Sequence, residues 1–159
     1  MDPVRAPVGQ PSRVRGERDA YDELCAYSLS RRDVEFIHQH VVDTYTAQNA
    51  DESTKPIALT FALVGLYLHV EKGWTGRQVQ RAHMTLARRR RRWPTLLLPR
   101  DRGPLTAAGV VRFPEGPERD RAIRGWCRSV WESFAESRGA VVAPPSREVD
   151  RRFEQERGR

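Results

Sequence analysis

Apolar residues recur at helical spacing along most of this chain, and no stretch shows the alternation that is typical of strands. Five segments carry the helical pattern. The predicted helices cover residues 17–30, a segment from a cap at Ser30 or Asp33 to the polar run NADEST, residues 56–72, residues 75–93 and residues 117–138. The pattern predicts an all-α fold, a single-domain bundle of about five helices.

The third predicted helix contains the longest apolar run of the sequence. This run, Ile57 to Val70, is interrupted by Thr60 and His69, and its apolar residues occupy nearly every side of the helix. At about 14 residues it is too short to span a bilayer. We therefore expect it to be the central, buried helix, and we expect no membrane association.

The last predicted helix has the most regular apolar stripe. Its apolar residues follow the spacing i, i+3, i+4, i+7, i+8 and i+11 from Ile123. Part of this stripe is expected to pack on the central helix, namely Trp126, Val130, Trp131 and Phe134. Two caps are also predicted, a capping box formed by Thr75 and Gln78 and a short helical turn that begins at Thr106.

Both ends of the chain differ in composition from its centre. Residues 1–17 are rich in proline, glycine and arginine and predict a disordered basic arm, whereas residues 140–159 predict a charged tail with a marginal helix. The helical domain is therefore expected over residues 18–139. The first twenty residues contain no apolar segment of the kind that a secretory signal requires, so we expect a cytoplasmic protein.

Four histidines lie on three successive predicted helices. Because successive helical residues are about 100° apart, His38 and His40 point in directions that differ by about 200°. An apolar stripe through Val34 places His38 beside the core and His40 at the surface near Asp43; the alternative is a shifted helix that turns His40 and Asp43 inward. The pair is therefore not expected to bind one ion together.

The other two histidines, His69 and His83, fall on inward faces and lead to a metal hypothesis. Three converging imidazoles with an open fourth position are typical of a catalytic site for a divalent metal such as zinc, so His38, His69 and His83 are the predicted ligands. A small polar ligand in the same histidine pocket is the other form of this hypothesis. Tyr45 would orient a metal-bound water. The alternative is that each histidine is satisfied separately, by a carbonyl, Tyr45 or Glu71.

Arginine dominates the basic residues, and it is concentrated at the end of the fourth helix. The chain has 28 basic and 21 acidic residues and a formal net charge of +7. Five consecutive arginines, Arg88, Arg89, Arg90, Arg91 and Arg92, precede Trp93. Such a run predicts a binding surface for nucleic acid or an acidic protein, with the indole stacking on a base. A solvated, salt-bridged surface and a GC-rich coding bias remain alternatives.

Two further features narrow the chemistry. The two cysteines, Cys25 and Cys127, lie in apolar helical patterns and are expected to be reduced core thiols, with a catalytic Cys–His pair as the alternative. Phosphate-binding loops, dinucleotide-binding glycine motifs and serine-hydrolase elbows are not found. Whether the protein is an enzyme stays open, as does a homodimer contact through the segment TLLLP.

Four segments of the chain resemble a family of small bacterial proteins known only as a domain of unknown function: YDELCAYSLSRRD, FIHQHVVDTYTAQ, KPIALTFALVGLYLHVEKGWTGRQVQRAHMTLARRR and RDRAIRGWCRSVWESF. The resemblance covers about residues 21–134 and implies a bacterial, intracellular protein. It implies no reaction. Its H-x-H-x-x-D-x-Y-x-x-Q segment provides the candidate pocket residues Asp43, Tyr45 and Gln48.

Overall fold

The computed structural model of the chain describes residues 16–89 and 92–142, together with residues 154, 155, 157 and 158. Most of the predicted basic arm and of the predicted charged tail lies outside the described residues. The elements in chain order are α1 (Glu17–Ser30), α2 (His38–Gln48), α3 (Pro56–Val70), α4 (Gly76–Arg89), α5 (Ala107–Val110), α6 (Pro117–Ser133), a 3-10 turn (Ala135–Ser137) and α7 (Arg138–Val141).

The all-α prediction is confirmed for this part of the chain, which contains no strand. Seven α-helices replace the predicted five. The predicted turn at Thr106 forms the short helix α5, and the last predicted helix ends at Ser133 rather than at residue 138, with the 3-10 turn and α7 after it. Both predicted caps are present: Gln78 accepts a hydrogen bond from the backbone nitrogen of Thr75, and Thr106 accepts one from Gly109.

The predicted start of the second helix is wrong by several residues. Asp33 does not cap a helix at Val34; its carboxylate accepts hydrogen bonds from the backbone nitrogens of Glu35 and Ile37 and forms a turn. Phe36 adopts a φ of +59°, which no right-handed helix accommodates. The helix therefore begins at His38, and Val34 is 89% exposed.

Helix α3 lies at the centre of the bundle, as its apolar sequence predicts. Its buried residues contact α2, α4, α6 and α7, and they belong to one continuous hydrophobic core. The aromatic stripe of α6 is buried against this core, and the ring centres of Trp131 and of Tyr67 on α3 lie 6.0 Å apart. None of the helices in the described residues has the length and apolar character of a membrane span.

Cys127 lies in the same core. It is a free thiol, fully buried, and accepts a hydrogen bond from Thr44 Oγ1 at 3.0 Å. Burial raises the pKa of the Cys127 thiol to about 12. The thiol is therefore protonated at neutral pH, which agrees with the prediction of a reduced core cysteine and not with a thiolate nucleophile.

Arg102, in the connector between α4 and α5, forms hydrogen bonds with the end of α2. Arg102 Nη1 donates hydrogen bonds to the carbonyl oxygens of Ala47, Gln48 and Ala50 at 3.1, 3.0 and 2.8 Å. Its guanidinium lies 5.5 Å from the ring centre of Phe134. These carbonyls lie at or just beyond the end of α2, where a helix has few backbone donors left for its last carbonyls. Arg102 adds a charged donor there, although the Ala47 carbonyl also accepts from the backbone nitrogen of Ala50 at 3.4 Å.

Replacing Arg102 tests this contact. We expect Arg102→Met to lower the free energy of unfolding by about 1.5–3 kcal/mol, because methionine keeps the apolar stem but removes a charged donor from three carbonyls. Urea unfolding followed by circular dichroism measures the change. Arg100→Met, at an exposed position in the same connector, is the matched control, and equal effects of the two variants would contradict the assignment.

Candidate functional site

Helices α2 and α3 approach each other closely where Asp43 faces Gly65. A Cβ atom on Gly65 would overlap the Asp43 carboxyl group and come within 3.2 Å of His83 Nε2. One helical turn away, His40 of α2 stacks on His69 of α3, with ring centres 3.6 Å apart and an angle of 20° between the planes. The small residue therefore permits a polar cluster to lie between two packed helices.

The prediction that His40 lies at the surface is wrong. His40 is 4% exposed and Asp43 is 3% exposed, so both face inward. The predicted orientation depended on Val34 as the first residue of the apolar stripe, and Val34 lies outside the helix. The buried face of α2 is instead defined by Val41, Thr44 and Ala47, and His40 and Asp43 adjoin it.

Asp43 is a buried acid whose environment favours the protonated form. Its Oδ1 accepts a hydrogen bond from Gln39 Nε2 at 3.1 Å, while its Oδ2 is buried without a hydrogen-bond partner. Burial raises the pKa of Asp43 well above its usual value, and the hydrogen bond from Gln39 only partly opposes this effect. The carboxyl group therefore keeps its proton at pH values at which an exposed aspartate is ionised.

His83 lies beside Asp43 in the cluster. Its Nε2 donates to the carbonyl oxygen of Phe61 at 2.8 Å and lies 3.9 Å from Asp43 Oδ2. Gln39 Nε2 lies 3.5 Å from the other ring nitrogen, so one amide group contacts both Asp43 and His83. Burial lowers the pKa of His83 to about 4, and the ring is neutral at physiological pH.

The stacked rings of His40 and His69 lie one helical turn from Asp43 and line a cavity of about 240 Å³. Burial is the main cause that lowers the pKa of His40 to about 3, and the neighbouring His69 and Arg124 lower it further. Burial also lowers the pKa of His69. His69 Nδ1 donates to the carbonyl oxygen of Trp74 at 3.3 Å. His40 Nδ1 is buried and has no hydrogen-bond partner, which is unusual for a polar atom.

The remaining walls of the cavity come from three other parts of the chain. Glu35 and Ile37 belong to the turn before α2, Trp74 and Thr75 to the connection before α4, and Arg124 to α6.

The turn before α2 and the start of α4 are held together by backbone contacts. The backbone nitrogen of Arg77 donates to the carbonyl oxygen of Glu35, and a Cβ on Gly76 would overlap the carbonyl oxygen of Phe36. A glycine at the first position of α4 therefore allows this helix to lie against the turn that carries Glu35.

The three predicted metal ligands have separate partners. His38 Nδ1 lies 2.9 Å from Ser28 Oγ, His69 stacks on His40, and His83 contacts Phe61 and Asp43. In residues 16–89 and 92–142, no group of three or more histidine, cysteine, aspartate or glutamate side chains is arranged to hold a metal ion. Zinc binding by His38, His69 and His83 stays a prediction that only a binding measurement tests.

The other two predicted pocket residues have structural contacts of their own. Tyr45 stacks on Tyr21 with ring centres 3.9 Å apart. Gln48 accepts a hydrogen bond from Trp126 Nε1 at 2.9 Å and donates one to the carbonyl oxygen of Leu105 at 2.6 Å. Of the three predicted pocket residues, Asp43 is the one that contacts a histidine of the cluster.

The arginine run is only partly described. Helix α4 ends at Arg89, Arg88 and Arg92 are exposed, and Arg90 and Arg91 lie outside the described residues. Trp93 is partly buried, and its ring meets that of Phe61 edge-on at 5.1 Å. Binding of nucleic acid or of an acidic protein at this surface stays a prediction.

Several residues of the site were not identified from the sequence. Gly65 carried a usable signal, because a glycine inside a long apolar helix often marks a close approach of another element. Glu35 and Arg124 carried none, since exposed charges of this kind are common throughout the chain. Only the fold brings the turn before α2 and the middle of α6 to one cavity.

The fold and the site together define a class of protein, an all-α bundle with a buried histidine–aspartate cluster beside a small cavity. The chain belongs to a family of unknown function, DUF5946, whose family model matches residues 17–135. This finding confirms the resemblance to a domain of unknown function. No curated protein and no solved structure matches the chain.

Closing the gap at Gly65 tests the packing of the cluster. We expect Gly65→Ala to lower the free energy of unfolding by about 1–3 kcal/mol, because the added methyl group overlaps a buried carboxyl group. Gly125→Ala in α6 is the matched control: its Cβ would lie 3.8 Å from Leu105, an ordinary contact, and should stabilise the helix. Chemical denaturation measures both, and a stabilising Gly65→Ala would contradict this packing.

The variant Asp43→Asn tests whether the buried carboxyl group keeps its proton. Above pH of about 4 the unfolded chain loses this proton while the folded protein retains it, so the buried acid costs the folded state more free energy as the pH rises. Asparagine has no proton to lose. We expect the stability of Asp43→Asn relative to the natural protein to increase from pH of about 4 towards 7, measured by thermal unfolding; a difference independent of pH would show that Asp43 ionises normally.

Proposed function

We propose that this chain is a single-domain binding protein that takes a small polar ligand in the cavity beside His40 and His69. The observation that carries the proposal is the stacked, neutral histidine pair on the cavity wall, with one buried ring nitrogen that has no partner. Buried polar atoms in folded proteins are nearly always hydrogen-bonded. Because this nitrogen is itself enclosed, a ligand in the cavity would provide the partner after a rotation of the His40 ring.

The dimensions of the cavity support a small ligand. Its volume of about 240 Å³ lies below the range of about 300–1,000 Å³ that is typical of pockets for drug-sized molecules. The lining combines an indole and an aliphatic side chain with imidazole, hydroxyl, carboxylate and guanidinium groups. Such a lining excludes water from one side of a ligand and orients the ligand by a few polar contacts.

The neutral state of the histidines also supports binding. A neutral imidazole has one nitrogen that donates and one that accepts. Because His69 Nδ1 donates to the Trp74 carbonyl, its Nε2 is left as an acceptor. The same neutral form is the one that ligates metals, so a divalent ion held by one of these imidazoles, with further ligands from solvent, is the second candidate.

Binding can be tested by observing the histidine side chains directly. Long-range proton–nitrogen spectra of the protein labelled with ¹⁵N would be recorded while phosphate, propionate, ethylamine, alanine or zinc chloride is added separately to millimolar concentration. We expect at least one probe to shift the ring signals of both His40 and His69 saturably. A shift caused by zinc alone would select the metal, and no shift with any probe would contradict the proposal.

Two variants distinguish the cavity from other histidine sites. His69→Phe keeps a stacking ring but removes both ring nitrogens, so the saturable shift of His40 should be lost. His38→Phe is the matched control, because His38 lies beside Ser28 and does not line the cavity. An effect of His38→Phe equal to that of His69→Phe would contradict the assignment of the site.

A further inference from the structure

We infer that the ligand of this cavity is a small zwitterion, of the class that carries a carboxylate and an ammonium group on neighbouring atoms, as an α-amino acid does. This inference rests on the proposed function and specifies its ligand. It follows from the charges that line the cavity and from the way in which these charges are paired.

The cavity carries one full positive and one full negative charge. Arg124 Nη2 lies 3.5 Å from Glu35 Oε2, and both side chains line the cavity. The histidines add no charge, because burial keeps His40 and His69 neutral. The lining as a whole is therefore neutral, although it is dipolar.

The arginine–glutamate pair is an exposed one. The side chains of Arg124 and Glu35 are 49% and 62% exposed. Exposed ion pairs of this kind contribute little to stability, because water screens them and because two long side chains lose freedom when they pair. A ligand can therefore separate the two charges at low cost.

A zwitterion suits this lining better than an ion of one sign. Its carboxylate would pair with the fork of Arg124, and its ammonium group would pair with Glu35, so each protein charge exchanges one partner for another. A simple anion would leave the Glu35 carboxylate beside a second negative charge. A simple cation would pair with Glu35 and leave the Arg124 guanidinium beside a second positive charge.

The histidine pair would then contact the rest of the ligand. His40 and His69 line the cavity together with Trp74 and Thr75, so this part of the lining offers hydrogen-bonding groups without a full charge and an aromatic surface. These groups do not discriminate by charge. The charge selectivity is therefore assigned to Glu35 and Arg124 alone, which makes it separable from binding itself.

The test compares matched probes on the full chain. Alanine, propionate and ethylamine share a two-carbon unit, but propionate lacks the ammonium group and ethylamine lacks the carboxylate. Serine and glutamine, with their corresponding acids and amines, extend the set to larger molecules. Affinity is obtained from the saturable shifts of His40 and His69. We expect one amino acid to bind on the order of tenfold or more tightly than either of its analogues.

The variants Arg124→Gln and Glu35→Gln assign the two charges. Arg124→Gln should remove the advantage of the amino acid over the amine, and Glu35→Gln should remove its advantage over the acid. Arg121→Gln, exposed on the same helix and not part of the cavity lining, is the control and should leave both ratios unchanged.

The possible failures are distinguishable. Suppose that propionate or ethylamine binds with an affinity equal to that of alanine, and that the acids or amines of the serine and glutamine sets also bind as tightly as their amino acids. The preference for a zwitterion is then overturned, while the proposal of a binding cavity stands. If phosphate or zinc chloride shifts His40 and His69 while no amino acid does, the zwitterion alone is overturned. If none of the probes shifts them, with phosphate and zinc chloride included, both the zwitterion and the proposed function are overturned. Unchanged selectivity in Arg124→Gln and Glu35→Gln would also overturn the inference.

Discussion

The close approach of α2 to α3 at Gly65 determines the arrangement of the whole site. Because Gly65 has no side chain, the carboxyl group of Asp43 lies directly against the central helix, and the next turn brings His40 onto His69. Polar groups are thereby enclosed within a core that is otherwise apolar. Burial then keeps Asp43 protonated and the imidazoles neutral, so the electrostatic character of the site follows from a packing constraint.

The helical architecture was largely predictable from the sequence. Apolar periodicity located α1, α3 and α6, and the Thr75 capping box located the start of α4. These elements are specified by local patterns, in which spacing of three and four residues and a few capping contacts are sufficient. The buried character of α3 was equally accessible, since a helix that is apolar on nearly all sides is stable only when other elements cover it.

The site was less predictable, because it depends on contacts between distant segments. The turn at Asp33 delays the start of α2, and a stripe drawn through Val34 therefore pointed His40 to the wrong side. The partners of Asp43, and the meeting of Glu35 with Arg124, depend on how α2, α4 and α6 pack. Periodicity within one helix contains no information on such distances.

The account depends most on the statement that the histidines of the core are neutral because they are buried. Proton–nitrogen spectra of the histidine rings recorded from neutral pH down to pH of about 5 test this statement directly, since the two forms of imidazole have distinct nitrogen shifts. The account predicts that His40, with a pKa of about 3, and His83, with a pKa of about 4, stay neutral throughout. Protonation of either ring with a midpoint near the ordinary histidine value of about 6.5 would contradict it.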